Sequence, residues 1–195
     1  MPSGDPDPPD DGPDDSPDRS LRLPPGDRTL RGKSQEGREL MFAELRGVDM
    51  TGADFYWALF HHAQLEDAIM ARCDLRGATL TEANLRGADL TGANCGLDNL
   101  GGSTDFIKAD LSGADLRDAD IGGADFTGAL LVGANLSGAS AQSRFKDRPT
   151  RFCGAFLTGA RLETARLDGA LHDARTVFPE GFEPERAGMV LKTNA

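Results

Sequence analysis

Large side chains are scarce in this chain. Aromatic residues fill only 6% of its 195 positions, with one Trp and one Tyr, while glycine reaches 24. An ordinary layered domain builds its core from large apolar groups, so this core must be thinner and more regular. No run of 18 apolar residues occurs, which excludes a membrane-spanning helix. Cysteine is limited to Cys73, Cys95 and Cys153, without CxxC spacing. An odd, scattered set argues against a disulfide framework and for a reducing cytoplasm. No basic start followed by an apolar core opens the chain, so no signal peptide is expected. Basic charge is short as well: 21 Lys and Arg against 32 Asp and Glu leave a net charge of -11. Direct binding of nucleic acid or an anionic membrane across the whole surface is thereby excluded.

What is present is unevenly spread. Residues 34–141 carry a net charge of -10, from 17 acidic and 7 basic groups, whereas residues 142–195 carry +2, from 7 acidic and 9 basic. Residues 1–27 are dominated by proline and aspartate and hold almost nothing apolar. Such a stretch cannot offset its ordering entropy by burial, so a disordered tail is expected there.

From about residue 28 to about residue 174 an apolar residue recurs every five positions. The series runs from Leu40 through Leu45, Met50, Phe55 and Phe60 to Leu100. After a six-residue step it resumes at Phe106 and continues to Ala141. It returns after a longer interruption at Phe152 and ends at His172, making 26 centres. Leu30 and Gln35 open the first turn more weakly. Two residues before the centre, alanine occurs in 20 of the 26 cases, and the whole chain has only 25 alanines. Glycine is frequent two residues after the centre, and Asp, Asn or Glu one residue before it. A period of five fits neither the helix nor the strand. It fits a short extended piece followed by a corner, with glycine supplying the positive φ of a type II turn. Four corners close a square coil of about 20 residues, and coils stacked ~4.8 Å apart make a rod. The apolar centre and the small residue before it then point inward, and the other three positions face out. The interruptions fall near 101–105 and 142–151. Residues 175–195 form a C-terminal cap and tail, in which Phe178 and Phe182 plug the last coil and Pro184 begins a helical turn.

The runs ADLTGANC, KADLSGADLRDADIGGADFTGALLVGANLSGA and GAFLTGARLETARLDGA resemble the A-(D/N)-L-x-G signature of pentapeptide-repeat proteins. LRGKSQEGREL resembles the opening repeats of bacterial members. The resemblance implies an all-β fold, a right-handed quadrilateral β-helix, here of about six to seven coils. The activity it implies is protection or inhibition of DNA gyrase or another topoisomerase by an acidic rod that imitates duplex DNA.

The chemistry-bearing residues offer little for catalysis. GDRTLRGKS at 26–34 places five residues between Gly26 and Gly32 where a phosphate loop needs four, and no strand precedes it. His61 and His62 are adjacent and turned outward, so they do not converge on a metal. The aspartates line flat exposed columns with no cleft to raise a carboxyl pKa. No enzyme, cofactor or metal site is expected. If the step before Phe106 keeps the coil count, Asp54, Asp74 and Asp115 share one acidic column with Asn94 and Asn135. Asp49, Asp89 and Asp110 then share the next, interrupted by Ile69 and ended by Leu130. Such columns suit either DNA mimicry or simple solubility. Two sets of outward residues break the pattern and are candidate partner contacts: Tyr56, Trp57, Leu59, His61 and His62, and the basic interruption with Arg144, Phe145, Lys146 and Arg148. The reading is a cytoplasmic, non-enzymatic protein-binding or scaffold module, a monomer or weak dimer, with DNA mimicry toward a topoisomerase as the alternative.

Overall fold

The computed structural model describes residues 29–193. The Pro- and Asp-rich tail expected to be disordered lies outside the described residues.

Each repeat makes one side of a square. The centre residue opens a four-residue turn that closes on the next small residue: the Ala53 amide donates to the Met50 carbonyl and the Ala58 amide to the Phe55 carbonyl, each at 2.9 Å. The third residue of the turn has positive φ, as at Gly52 (65°) and Gly77 (71°). Glycine accepts this conformation freely. Side chains are nevertheless held there too, Phe42 at 58° and Trp57 at 57° among them, at a cost of roughly 1 kcal/mol or more each. The stacked coils over-determine the turn: the Trp57 amide, for instance, donates to the Arg76 carbonyl of the next coil.

Only one residue per side pairs in β fashion with the coils above and below, always in parallel. Four columns result. The first face runs Thr29, Asp49, Ile69, Asp89, Asp115, Asn135, Arg161, and the second Ser34, Asp54, Asp74, Asn94, Asp120, Ser140, Arg166. The third runs Glu39, Leu59, Thr79, Asp105, Asp125, Arg151, Leu171, and the fourth Glu44, Gln64, Asn84, Asp110, Leu130, Phe156, Val177. Seven residues per column mean seven coils. One longer pairing, two residues on each side, forms the parallel strands β1 (Leu171–His172) and β2 (Val190–Leu191), β2 lying beneath the last coil.

The centres and the alanines before them are buried from Leu40 to Ala141, Leu100 apart, and again from Phe152, except that Leu162 and Ala165 are half-buried; Leu30 and Gln35 are buried in the first coil. Inside the third face, Phe106, Phe126 and Phe152 stack with centroids 4.9 and 5.2 Å apart and nearly parallel rings. Phe178 and Phe182 pack against the end of this core, and Phe178 meets His172 edge-on. Among the described residues no helix is long and apolar enough to cross a membrane.

One expectation needs correction. Leu100 is not a centre: it is 87% exposed. The chain instead makes a tight loop in which the Asp98 amide donates to the Gly102 carbonyl. The next centre is Phe106, on the third face, and every later repeat moves back by one face. Asp115 therefore stacks under Asp89 on the first face, not with Asp54 and Asp74 on the second.

Candidate functional site

Both interruptions insert six residues, and both fall at the same corner. Asn94 and Ser140 lie on the second face, and the next paired residues, Asp105 and Arg151, lie on the third. The two loops close alike. Thr104 and Thr150 take the inward place that alanine usually fills and are fully buried. Their hydroxyls donate to the carbonyls of Leu75 and Ile121, at 2.8 Å in each case. Each hydroxyl ties its loop end to a carbonyl that also accepts a turn amide, from Ala78 at Leu75 and from Ala124 at Ile121.

The coils around the loops complete a ridge along this corner. Trp57 and Tyr56 belong to the second coil, and both turn toward the first loop. Trp57 Nε1 and the Tyr56 hydroxyl donate to Asp98 Oδ2 at 3.0 and 3.2 Å. The amides of Leu100 and Gly102 donate to Asp98 Oδ1 at 2.8 and 2.6 Å. Asp98 is 1% exposed. Burial raises its pKa, but the amide, indole and phenol donors outweigh burial and hold the carboxyl below its ordinary value. The indole lies flat over Gly77, where a Cβ would sit 2.9 Å from the ring. Leu97 covers Gly123 in the same way, with a Cβ position 2.4 Å from Leu97 Cγ. The second loop then reaches back: Arg148 Nη1 donates to the Gly101 carbonyl at 2.6 Å. The ridge spans the second to sixth coils, about 19 Å at ~4.8 Å per coil.

The sequence-derived candidates divide accordingly. Tyr56, Trp57 and Arg148 meet along the ridge, with Arg144, Phe145 and Lys146 exposed at its far end. Leu59 lies on the third face. His61 and His62 occupy the corner after it, where the His62 ring stacks on Phe42 at 5.0 Å and Nδ1 lies 3.5 Å from Glu82 Oε2. Asp98, Thr104 and Thr150 were missed. The signal was the shared ending of the two breaks, threonine, one polar residue and phenylalanine, in STDF and PTRF.

The aspartates have local work. Each of the nine that precede a centre, from Asp49 to Asp125, accepts the amide two residues on, as Thr51 donates to Asp49 and Thr127 to Asp125. This is the Asx turn that Asp and Asn favour. Five of the nine are also ion-paired: Asp49 with Arg31, Asp74 with Arg76, Asp110 with Arg86, Asp115 with Arg117, and Asp125 with Arg151. Cys73, Cys95 and Cys153 are free and buried, and burial pushes the Cys73 thiol up to about 12.

A four-sided parallel coil with a period of five defines the class of quadrilateral β-helix repeat proteins. The family model described as pentapeptide repeats matches in eight copies, over residues 58–94, 103–123 and 109–142. No curated protein matches the chain. Among solved structures, alr5209, a pentapeptide repeat protein from Nostoc PCC 7120, is 31% identical over 69% of this chain and 84% of its own, with a TM-score of 0.27. Rfr23 from the cyanobacterium Cyanothece 51142 is 25% identical over 79% and 93%, with a TM-score of 0.42. QnrB1, a plasmid-mediated fluoroquinolone resistance protein, is 24% identical over 85% and 86%, with a TM-score of 0.35. The chain belongs to the pentapeptide-repeat family. Membership rests on the repeat match and the 31% identity, not on the superpositions.

Proposed function

We propose that the protein is a non-enzymatic binding module that recruits a protein partner along the ridge where its two loops meet. The observation that carries this reading is the bond from Arg148 to the Gly101 carbonyl. It makes one surface of two breaks that are 46 residues apart in the sequence. The far end carries Arg144 and Lys146 around an exposed Phe145 on an otherwise acidic rod. The chemistry that fits it is an acidic segment with an apolar side chain. A reducing cytoplasm suits the three free, buried thiols.

The test is affinity capture with cross-linking from the source cells, using wild type and the triple variant Arg144→Glu, Phe145→Ser, Lys146→Glu. The cross-linked partner is expected with wild type and lost with the variant, while the two melt at the same temperature. Equal recovery by both would sink the ridge as the contact.

Gyrase protection or inhibition by DNA mimicry is the second reading, and the carboxylate columns are its support. Their charge is partly cancelled where it stands, since five of the nine aspartates have an arginine beside them. A gyrase supercoiling assay with and without a quinolone separates the readings. Changed supercoiling or quinolone sensitivity at micromolar protein would favour mimicry.

A further inference from the structure

Each coil pairs its backbone with the coil below. On the first face the Leu136 amide donates to the Arg161 carbonyl at 2.8 Å, the Arg161 amide to the Ala134 carbonyl at 2.9 Å, and the Gly138 amide to the Glu163 carbonyl at 3.1 Å. The seventh coil is the last on this face. Its corresponding groups, the Leu162 and Thr164 amides and the Ala160 carbonyl, have no backbone partner among the described residues. Other parts of the rod's two ends are covered, as exposed sheet edges usually are. At the first coil Lys33 Nζ donates to the Thr29 carbonyl at 3.3 Å and Gln35 Nε2 to the Ser34 carbonyl at 2.7 Å. Beneath the third face lies β2, and after the second face the Gly169 amide donates to the Gly188 carbonyl at 2.9 Å. The Leu167 amide is unpaired too, but its side chain is buried, whereas Leu162 is half-buried. Leu162 lines a shallow cavity of about 320 Å³ with Ala160, Pro179 and Phe182, and the exposed Glu163 and Glu180 complete its wall.

We propose that this open rung docks an extended segment of a partner protein, which pairs with it as one side of an eighth coil. An acceptor and a donor that flank one residue, here Ala160 and Leu162 about Arg161, are what a parallel strand requires, and an open edge takes peptides by strand addition. The stacking of like on like then fixes the chemistry of the segment. The residue under Ala160 points into the tube and is small. The residue under Arg161 is Asp or Asn, as in the columns above. The next is apolar, points inward below Leu162 and fills the cavity against Phe182. The one after it lies under Glu163 and is Lys or Arg, because Glu163 and Glu180 outnumber the single Arg161, which is 3.7 Å from Glu163. The chain itself is a poor occupant. Residues 1–28 hold eight Asp against three Arg. Only two residues follow Thr193, at most ~7 Å of chain, and Thr193 lies beside Asp173 and Arg175, across the tube from the first face. A second copy would have to offer its first coil, whose Thr29 and Ser34 carbonyls are already bonded. Three backbone bonds and one buried side chain make a small contact, so the binding is weak. It does not rest on the proposed ridge, which lies between the second and third faces.

Amide NMR of the full chain, titrated with a terminally blocked peptide that carries Ala-Asp-Leu-Lys-Gly, tests this. The Leu162 and Thr164 amides are expected to shift and to exchange more slowly with solvent, with a dissociation constant below about 1 mM. Methylating the aspartate nitrogen of the peptide removes the donor to the Ala160 carbonyl and should weaken binding at least about fivefold. Glu163→Lys should weaken it at least about tenfold. A melting curve checks the fold, and Glu180→Lys, expected to act alike, decides the matter if Glu163→Lys does not fold. The triple variant at Arg144, Phe145 and Lys146 should bind the peptide as wild type does, so the two sites fail separately; loss of binding there would put the peptide on the ridge and overturn the inference. It is also overturned if no amide between residues 160 and 164 responds at about 5 mM peptide, if the methylated peptide or a folded Glu variant binds equally well, or if self-association protects these amides without peptide.

Discussion

Trp57 Nε1 donates to Asp98 Oδ2 at 3.0 Å across 41 residues of sequence, and the Tyr56 hydroxyl shares the same oxygen. The only Trp and only Tyr of the chain thus pin the first loop to a coil two layers above it. Their outward placement is not idle exposure. The indole presents one face to solvent while its polar atom holds a buried carboxylate.

Removing that carboxylate leaves four donors without an acceptor. Asp98→Ala is expected to destabilise the protein by about 3 kcal/mol, within the range for buried bonds to a charged group. Urea unfolding measures the loss. Because Trp57 is the sole Trp, its emission at zero denaturant should also shift to longer wavelength. An unchanged spectrum and midpoint would show that the latch contributes nothing.

Two glycines with similar backbones should respond differently. Gly123 has φ of 87°, and a Cβ there would lie 2.4 Å from Leu97 Cγ; Gly133 has φ of 66° and nothing within 4 Å. Gly133→Ala should cost roughly 1 kcal/mol, the left-handed strain alone. Gly123→Ala should cost at least about 1 kcal/mol more, because Leu97 must move. Thermal melts of the pair compare them directly.

Acid should loosen the C-terminal end. Burial raises the pKa of Asp173, but hydrogen bonds from the Arg175 side chain and from the amides of Arg175 and Gly154 outweigh it and hold the carboxyl at about 2. The unfolded carboxyl titrates near ~3.9. The folded value is the lower one, so the unfolded chain binds more protons between the two. This stabilisation is fully present above about pH 4–5 and is lost as the pH falls toward 2. Melting temperature against pH should therefore fall less steeply below pH 4 in Asp173→Asn than in wild type, from a lower starting value.

The phenylalanine ladder offers a test of the interior. Phe126 stacks on Phe106 above and Phe152 below. Phe126→Ala opens a cavity in a tube that cannot collapse sideways, because every wall is hydrogen-bonded to its neighbours. A loss of about 3–5 kcal/mol is expected in denaturant unfolding. A loss under ~1 kcal/mol would mean that the coils close up.

Ile69 should be improvable. It sits in the first-face column between Asp49 and Asp89, both of which bond the amide two residues on. Ile69→Asn supplies that bond to the Ala71 amide without adding charge. A gain of about 0.5–1 kcal/mol is expected, read as a higher urea midpoint.

Much of this was legible in the sequence. The period, the inward alanines and the turn glycines needed no tertiary information, because each follows from the steric needs of one corner. The candidate residues were found as departures from the period, but their grouping was not. Leu100 continued the five-residue beat and was apolar, yet it is exposed, and that false centre displaced Asp115 by one face. Asp98 looked like any other surface aspartate, and its four donors come from two segments that only stacking brings together.

The chain's local chemistry therefore settles the coil: small residue in, large residue in, a corner with positive φ, and a polar residue that bonds the corner's amide. What it leaves open is which repeat stands over which. That register is set by hydrogen bonds between coils, Leu80 to Asp105 and Phe126 to Arg151 among them, and a residue that loops out consumes sequence without advancing the coil. Stacking alone places both six-residue loops at one corner. It alone brings Trp57, Asp98 and Arg148 into a single ridge, and it alone leaves Leu162 at an edge that no further coil pairs.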